Sequence, residues 1–161
     1  EAYGLFRTSG GSDIKLVIAG GNYWKYTALQ EALKHVPNSK DVIFTGRVSD
    51  NALQSLTAGA LALTYVPYFE GFGIPMIEAM QCDVPIVTAD RTAMPEVAGD
   101  AALYVDPFSV ESIATGLQHI AESEVLRQDL ITKGRVRRQL YTWDKAADLL
   151  WNSMMKCIPN K

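Results

Sequence analysis

Two glutamates eight positions apart, Glu70 and Glu78, bracket a stretch whose residue types suit a phosphorylated ligand: Phe69-Glu-Gly-Phe-Gly-Ile-Pro-Met-Ile-Glu78. Gly71 and Gly73 permit backbone angles, and a close approach to a ligand, that a side chain would block. Pro75 fits the first turn of a helix beginning near Ile74. The unpaired N–H groups at such a helix start attract an anion such as a diphosphate. Carboxylates beside a phosphate would repel it, so Glu70 and Glu78 have a use there as acceptors of hydrogen bonds from neutral hydroxyls. Ribose and hexose carry such hydroxyls, and a nucleotide sugar presents both. Glu78, near the helix start, is placed to bridge the vicinal hydroxyls of a ribose, and Glu70 to reach the sugar beyond the phosphates. Taken singly, each residue has a commoner use, a glutamate solvating a helix or a glycine making a turn. Their convergence on one strand-to-helix junction favours the binding reading.

The elements that must hold this junction alternate regularly. A β-rich run at 14–19 ends at Gly20-Gly21, helical spacing follows over 23–35, and a second strand at 42–45 ends at Gly46. A helix capped by Ser49 or Asp50 runs to about Ala58. A third strand is expected over 61–66, the loop at 67–73 follows it, and a helix spans 74–82. A fourth strand at 85–88 leads into a loop through Pro95, then a short strand at 102–105. Ser109 opens a helix to about Ala121, and helices over 124–140 and 143–156 finish the chain. Buried strands separated by helices favour parallel pairing with right-handed crossovers, so the expected fold is α/β, a Rossmann-like open parallel sheet with helices on both faces. Ligands in such sheets bind at the carboxyl ends of the strands, which singles out Gly20-Gly21, the loop at 46–49 and the loop at 67–73. Residues 1–7 lack an initiator Met and read as the end of an amphipathic helix, so a segment before Glu1 is expected.

Composition narrows the function. With 161 residues, 48% of them hydrophobic, one domain is expected. A net charge of -3 with interspersed signs leaves no positive excess for a nucleic-acid partner. Cys82 and Cys157 show no metal or disulfide spacing, which suits a reducing, cytoplasmic setting. No apolar run has the length of a membrane span, so a soluble chain is expected. Asp90, Asp100 and Asp106 are scattered, with no Asp-x-Asp pair among them, so no metal is expected. Lys133, Arg135, Arg137 and Arg138 read as a solvated helix face. Contact with an anionic membrane surface is the rarer alternative for them. Trp143 and Trp151 are expected to pack against this domain or a neighbouring one, and His35 and His119 to be surface or packing residues.

The chain resembles glycosyltransferase family 4, the retaining enzymes of the two-domain GT-B architecture. Glu70 and Glu78 match its E-x7-E motif. The likeness continues through Glu78-Ala-Met-Gln-Cys-Asp-Val-Pro-Ile-Val-Thr88 and Pro95-Glu-Val-Ala-Gly-Asp-Ala-Ala-Leu-Tyr-Val-Asp-Pro107. Upstream, Leu16-Val-Ile-Ala-Gly-Gly21 and Val42-Ile-Phe-Thr-Gly-Arg-Val-Ser-Asp50 are similar to the family's first two visible strand-loop units. The resemblance implies that residues 1–161 form the donor-binding C-terminal half, without its first strand, and that an N-terminal acceptor domain lies outside this chain. It implies that Glu78 holds the donor ribose, while Glu70, Gly71, Phe72, Gly73 and Ile74 surround the sugar and diphosphate. The backbone of Arg47 and Val48 would meet the nucleobase, and Gly20 and Gly21 would line the same crevice. Family members retain anomeric configuration, with the donor phosphate assisting the acceptor, so Glu70 is catalytic in the sense of orienting the sugar. The implied donor is a UDP-, GDP- or ADP-sugar with no further cofactor. The implied acceptor is a sugar, glycan or lipid-linked molecule, the implied setting envelope polysaccharide assembly at the inner membrane face, and the isolated fragment is expected to be inactive.

Three departures bear on this. The family's Arg and Lys that meet the diphosphate would precede Glu1, which removes an electrostatic stabiliser of the leaving group. The acceptor domain, with its His near the reacting sugar, is also outside the chain. Asp83 stands where the family has Gly, at the end of the helix after the motif. Two rivals stay open: a sugar-nucleotide epimerase of the same architecture and a noncatalytic nucleotide-sugar-binding module. A nicotinamide dehydrogenase is disfavoured because no GxGxxG follows the first strand.

Overall fold

The computed structural model describes residues 1–10, 13–21, 26–34, 36–37 and 39–157. In chain order these form α1 (Ala2–Thr8), β1 (Leu16–Ala19), α2 (Tyr26–Lys34), β2 (Val42–Gly46), α3 (Asp50–Ala58), β3 (Leu63–Tyr65), α4 (Ile74–Gln81), β4 (Ile86–Ala89), α5 (Met94–Ala98), β5 (Ala102–Val105), α6 (Val110–Glu122), α7 (Glu124–Arg137) and α8 (Trp143–Lys156). Tyr23 and His35, the expected bounds of the second helix, lie outside the described residues. Helix starts follow local chemistry. The Ser49, Ser109, Ser123 and Thr142 hydroxyls each accept from the backbone N–H three residues on, which supplies a partner to an otherwise orphan donor.

Two elements differ from expectation. The stretch read as a loop through Pro95 ends in the five-residue helix α5, with Pro95 in its first turn. Five residues are too few to show a helical period, and proline there starts a helix instead of breaking it. The helix expected over 124–140 ends at Arg137 and tightens into a 3-10 turn, Arg138–Leu140.

All strand pairing is parallel. Among the described residues the strands make two ladders, β1-β2 and β3-β4-β5. The second ladder is covered on both faces. Ile86, Ala102, Tyr104, Leu63 and Tyr65 pack with Met76, Met80, Met94 and Val97 of α4 and α5, whereas Val87, Leu103 and Val105 pack with Ile120 and Leu130 of α6 and α7. This is the alternation of a pleated strand buried on both sides. Each fully buried Met, Ile or Val there contributes roughly 1.5–3 kcal/mol. Gly116 lets α6 press onto β5, since a Cβ there would lie 2.6 Å from Val105 Cγ1. The same helix reaches the first ladder, where Ala114 and Leu117 join Tyr3, Phe6, Leu16 and Val42. Val17, Ile18, Ile43 and Phe44 of that ladder remain exposed.

The basic stretch is only partly a solvated face: Arg135 is exposed, whereas Arg137 and Arg138 turn to helix ends. Arg138 donates to the carbonyls of Met80 and Gln81 at the end of α4 (2.7 and 3.2 Å), and Arg137 to those of Glu96 and Val97 in α5. Arg127 does the same for Ile120 and Ala121 at the end of α6. Helix C-termini leave carbonyls without partners and carry partial negative charge, so a guanidinium satisfies both demands. Asp83 joins this network. It is left-handed (φ 57°) one residue past the α4 cap, and it completes a Schellman closure: the Val84 N–H donates to the Ala79 carbonyl at 2.9 Å. Its carboxylate accepts from Arg135 at 3.0 and 2.9 Å and from Arg138 at 2.9 Å. Lys133 pairs with Asp129 on its own helix. Trp143 and Trp151, 90 and 62% exposed, do not pack on the described domain. Among the described residues no helix is long and apolar enough to cross a membrane.

Candidate functional site

The loop after β3 is folded around the Glu70 carboxylate. The Tyr65 phenol donates to Oε2 at 2.6 Å, and the Gly71 and Phe72 N–H groups donate to Oε1 at 3.1 and 3.4 Å. These bonds favour the anion, the Tyr65 bond most, and hold Glu70 below the usual carboxylate range. The same partnership acts oppositely on Tyr65, whose pKa is pushed up to about 12, first by burial and then by the Glu70 bond. Tyr65 is itself anchored, because the buried Thr88 hydroxyl of β4 donates to its carbonyl at 2.7 Å.

The turn into α4 depends on Gly73. It caps the helix in the left-handed conformation (φ 92°), and a Cβ there would meet Met94 Cε at 2.8 Å and Met76 Cε at 2.9 Å. Both the backbone angle and the packing demand glycine. Among the described residues no side chain caps this helix start, and Pro75 sits in its first turn. The helix turns Met76, Ala79 and Met80 into the core, which leaves Ile74 and Glu78, four residues apart, on the opposite, exposed face. Among the described residues the Glu78 carboxylate makes no hydrogen bond or ion pair, so its acceptor sites face solvent. Gly71 is exposed, and Phe72 sets its ring edge-on to Tyr141 with centroids 5.8 Å apart.

The other expected residues gather at the carboxyl end of the first ladder. The Gly20 N–H donates to the Gly46 carbonyl at 3.0 Å, which joins the Gly20-Gly21 turn to the turn that carries Arg47 and Val48. Arg47 is exposed and Val48 and Gly21 are half-buried. Helix α3, which follows this turn, packs on α4. Two groups therefore form, Gly20-Gly21 with Arg47-Val48 and Glu70 through Glu78, without a hydrogen bond or ion pair between them among the described residues. Two concavities, of about 330 and 270 Å3, lie around α1 and include none of these side chains. Asp90 and Asp106 both face Arg91, at 3.3 and 3.4 Å. Among the described residues no three His, Cys, Asp or Glu side chains converge on a point.

Two arrangements escaped the sequence reading. Tyr65 looks like any β-strand aromatic until the loop returns to it. Phe108 stacks on Tyr68 and lies under Arg91, a grouping that draws on three separate strand ends.

Residues 1–137 match the family described as glycosyl transferases group 1. Over 144 residues the chain is 29% identical to the O-antigen chain mannosyltransferase B of Escherichia coli, covering 89% of this chain and 38% of that protein. It is 35% identical over 107 residues to the O-antigen chain mannosyltransferase RfbU of Salmonella typhimurium, covering 66% of this chain and 30% of that protein. The chain thus spans less than half the length of these curated relatives. Its fold is similar to that of a sucrose-phosphate synthase from Thermosynechococcus elongatus, with a TM-score of 0.76 at 19% identity, covering 98% of this chain and 43% of that one. Parallel ladders, helices on both faces of the larger one and the glutamate-bracketed turn all lie within the matched residues, and the chain belongs to the glycosyl transferases group 1 family.

Proposed function

We propose that the protein containing this chain is a retaining glycosyltransferase of family 4, and that the chain is its donor-binding half. The observation that carries this reading is the turn from β3 into α4. A carboxylate held as an anion in the loop, an uncapped helix start and a second, unpartnered carboxylate on the exposed helix face follow one another in the order of a nucleotide-diphosphate sugar. Glu78 accepts from the ribose hydroxyls, and the N–H groups at the start of α4 meet the diphosphate. Glu70 retains acceptor capacity, since each carboxylate oxygen has two lone pairs, and it orients a sugar hydroxyl. Because both its oxygens are already held, Oε2 by Tyr65 of β3 and Oε1 by the loop's N–H groups, Glu70 positions the sugar and does not attack it. The backbone of Arg47 and Val48, with Gly20 and Gly21, meets the base of a UDP-, GDP- or ADP-sugar.

The relatives' names, which specify mannosyl transfer in O-antigen chains, support a hexose donor and a glycan or lipid-linked acceptor. The acceptor is bound by an N-terminal domain beyond this chain, at the cytoplasmic face of the inner membrane. Among the described residues β1 and β3 each pair along one edge only, which with the exposed apolar residues of the first ladder supports a further parallel strand between the two ladders. The Arg and Lys that neutralise the diphosphate belong to the same segment, so the isolated fragment does not catalyse transfer. Calorimetric titration of the full-length protein with UDP-, GDP- and ADP-sugars, followed by NMR of the anomeric configuration in the product, tests the reading. Binding of one donor and a retained anomer are expected. Failure to bind any of them would overturn it.

A further inference from the structure

The loop at 67–73 stands largely in water, with Tyr68, Phe69, Gly71 and Phe72 all exposed, yet it has to hold the Glu70 carboxylate in one place. Tyr65 secures Oε2 from β3 at 2.6 Å. The hold on Oε1 is looser, from the Gly71 N–H at 3.1 Å and the Phe72 N–H at 3.4 Å. A bond as long as the second is lost on a small outward shift of Phe72. Packing does not oppose that shift at Gly71, where a Cβ would meet nothing within 4 Å. The restraint is on the Phe72 ring, which meets the Tyr141 ring at 82° with centroids 5.8 Å apart. This edge-to-face arrangement is a preferred one for aromatic pairs.

Tyr141 is itself fixed from two sides. Its half-buried ring packs against the core that contains Met76, Met94 and Val97. Its hydroxyl donates to the Glu96 carbonyl of α5 at 3.2 Å and accepts from Arg137 of α7 at 3.3 Å. Arg137 is held in turn, donating to the Val97 carbonyl at 2.9 Å. Closing the core needs only apolar volume, which a leucine would supply. A phenol pinned at its far end by a donor and an acceptor bond also has a set ring direction, and that direction is what the Phe72 ring meets. One line of contacts therefore runs from α5 and α7 through Tyr141 and the Phe72 ring to the Phe72 N–H and Glu70 Oε1. It reaches the carboxylate from the side opposite Tyr65.

We propose that Tyr141 is a positioning residue that acts through the Phe72 ring on the Glu70 carboxylate. Its bearing on transfer rests on the role given to Glu70 above. The test compares full-length wild type with Tyr141→Leu, Tyr141→Phe, Phe72→Leu and the Tyr141→Leu/Phe72→Leu double variant. Turnover is measured with the donor that binds in the titration above, and amide exchange at Gly71 and at residue 72 is followed by NMR without ligand. Tyr141→Leu is expected to lower kcat roughly fivefold, the scale of one aromatic pair, with a smaller change in donor KM because the nucleotide is held elsewhere. Tyr141→Phe, which keeps the ring and frees its far end, should fall between. Amide exchange should quicken several-fold in Tyr141→Leu and in Phe72→Leu. The double variant should turn over no more slowly than Phe72→Leu, since the path through the ring is already cut. Losses that multiply in the double variant overturn the proposal, as does a Tyr141→Leu protein that has lost melting temperature alone. If Tyr141→Leu does not fold, Phe72→Leu decides by the same exchange, because its site is 45% exposed and tolerates the change; unchanged rates there overturn the proposal. If wild type transfers no sugar, the transferase reading fails. Tyr141 then stands as the keeper of the Glu70 turn if exchange quickens in Tyr141→Leu, and falls if it does not.

Discussion

The Tyr65 phenol, at the last position of β3, donates to Glu70 Oε2 at 2.6 Å and so fastens the loop's carboxylate to the end of a strand. Tyr65 is in turn fixed by Thr88 in the buried centre of the larger ladder, so Glu70 is positioned by the core although its own carboxylate lies at the surface. In Tyr65→Phe the ring remains and the donor is lost. On the proposed function, the full-length protein is expected to lose several-fold in kcat with a smaller change in donor KM. Because the Tyr65 bond is the chief cause of Glu70's lowered pKa, the acid limb of the rate profile should also move to higher pH. A pH profile of both proteins checks this, and a limb that stays in place would remove Tyr65 from a positioning role.

Glu78 is exposed and has no partner among the described residues, so its removal costs the fold nothing. Glu78→Ala should keep the wild-type melting temperature while weakening donor binding roughly tenfold, the size of a lost charge-assisted hydrogen bond. Calorimetry beside a thermal melt separates the two quantities. Equal donor affinity in the variant would end the ribose assignment.

Gly73→Ala should act on fold and site together. A left-handed alanine costs roughly 1–2 kcal/mol, and its Cβ meets two methionine methyls at 2.8 and 2.9 Å. A lowered urea midpoint with loss of donor binding is expected, because the start of α4 is displaced. Wild-type stability would show that Met76 and Met94 yield easily.

Asp83 occupies a left-handed position that favours glycine, and two arginines hold it there. Asp83→Ala keeps the unfavourable angle and loses the exposed ion pairs, so it should be destabilised by up to about 1 kcal/mol, whereas Asp83→Gly relieves the angle and should lose less. The hydrogen bond and charge of Arg135, with Arg138, depress the Asp83 pKa. Its stabilisation is therefore complete above the ordinary aspartate pKa and lost as pH falls through the lower folded value. Urea midpoints at neutral pH and in that acid range should converge for wild type and Asp83→Ala as pH drops.

What could be read without the structure was whatever depends on near neighbours. Ser49 and Ser109 mark helix starts because a cap bonds three residues along the chain. The run at 102–105 is a strand because its residues are apolar and suited to a pleat, and the glutamates and glycines of the 69–78 stretch declare their chemistry by spacing. The tertiary structure decided what depends on distant carbonyls and faces. Arg137 and Arg138 look like a solvated basic run until the ends of α5 and α4, 40 or more residues away, arrive with unpaired carbonyls. Tyr65 becomes the keeper of Glu70, and Tyr68 and Phe108 become a stacked pair, only when loops fold back over strand ends. Local patterns settle which elements form, because backbone angles and caps are local quantities. Which groups meet is settled by packing, because an unpaired polar atom takes the nearest partner in space, wherever it lies in the chain.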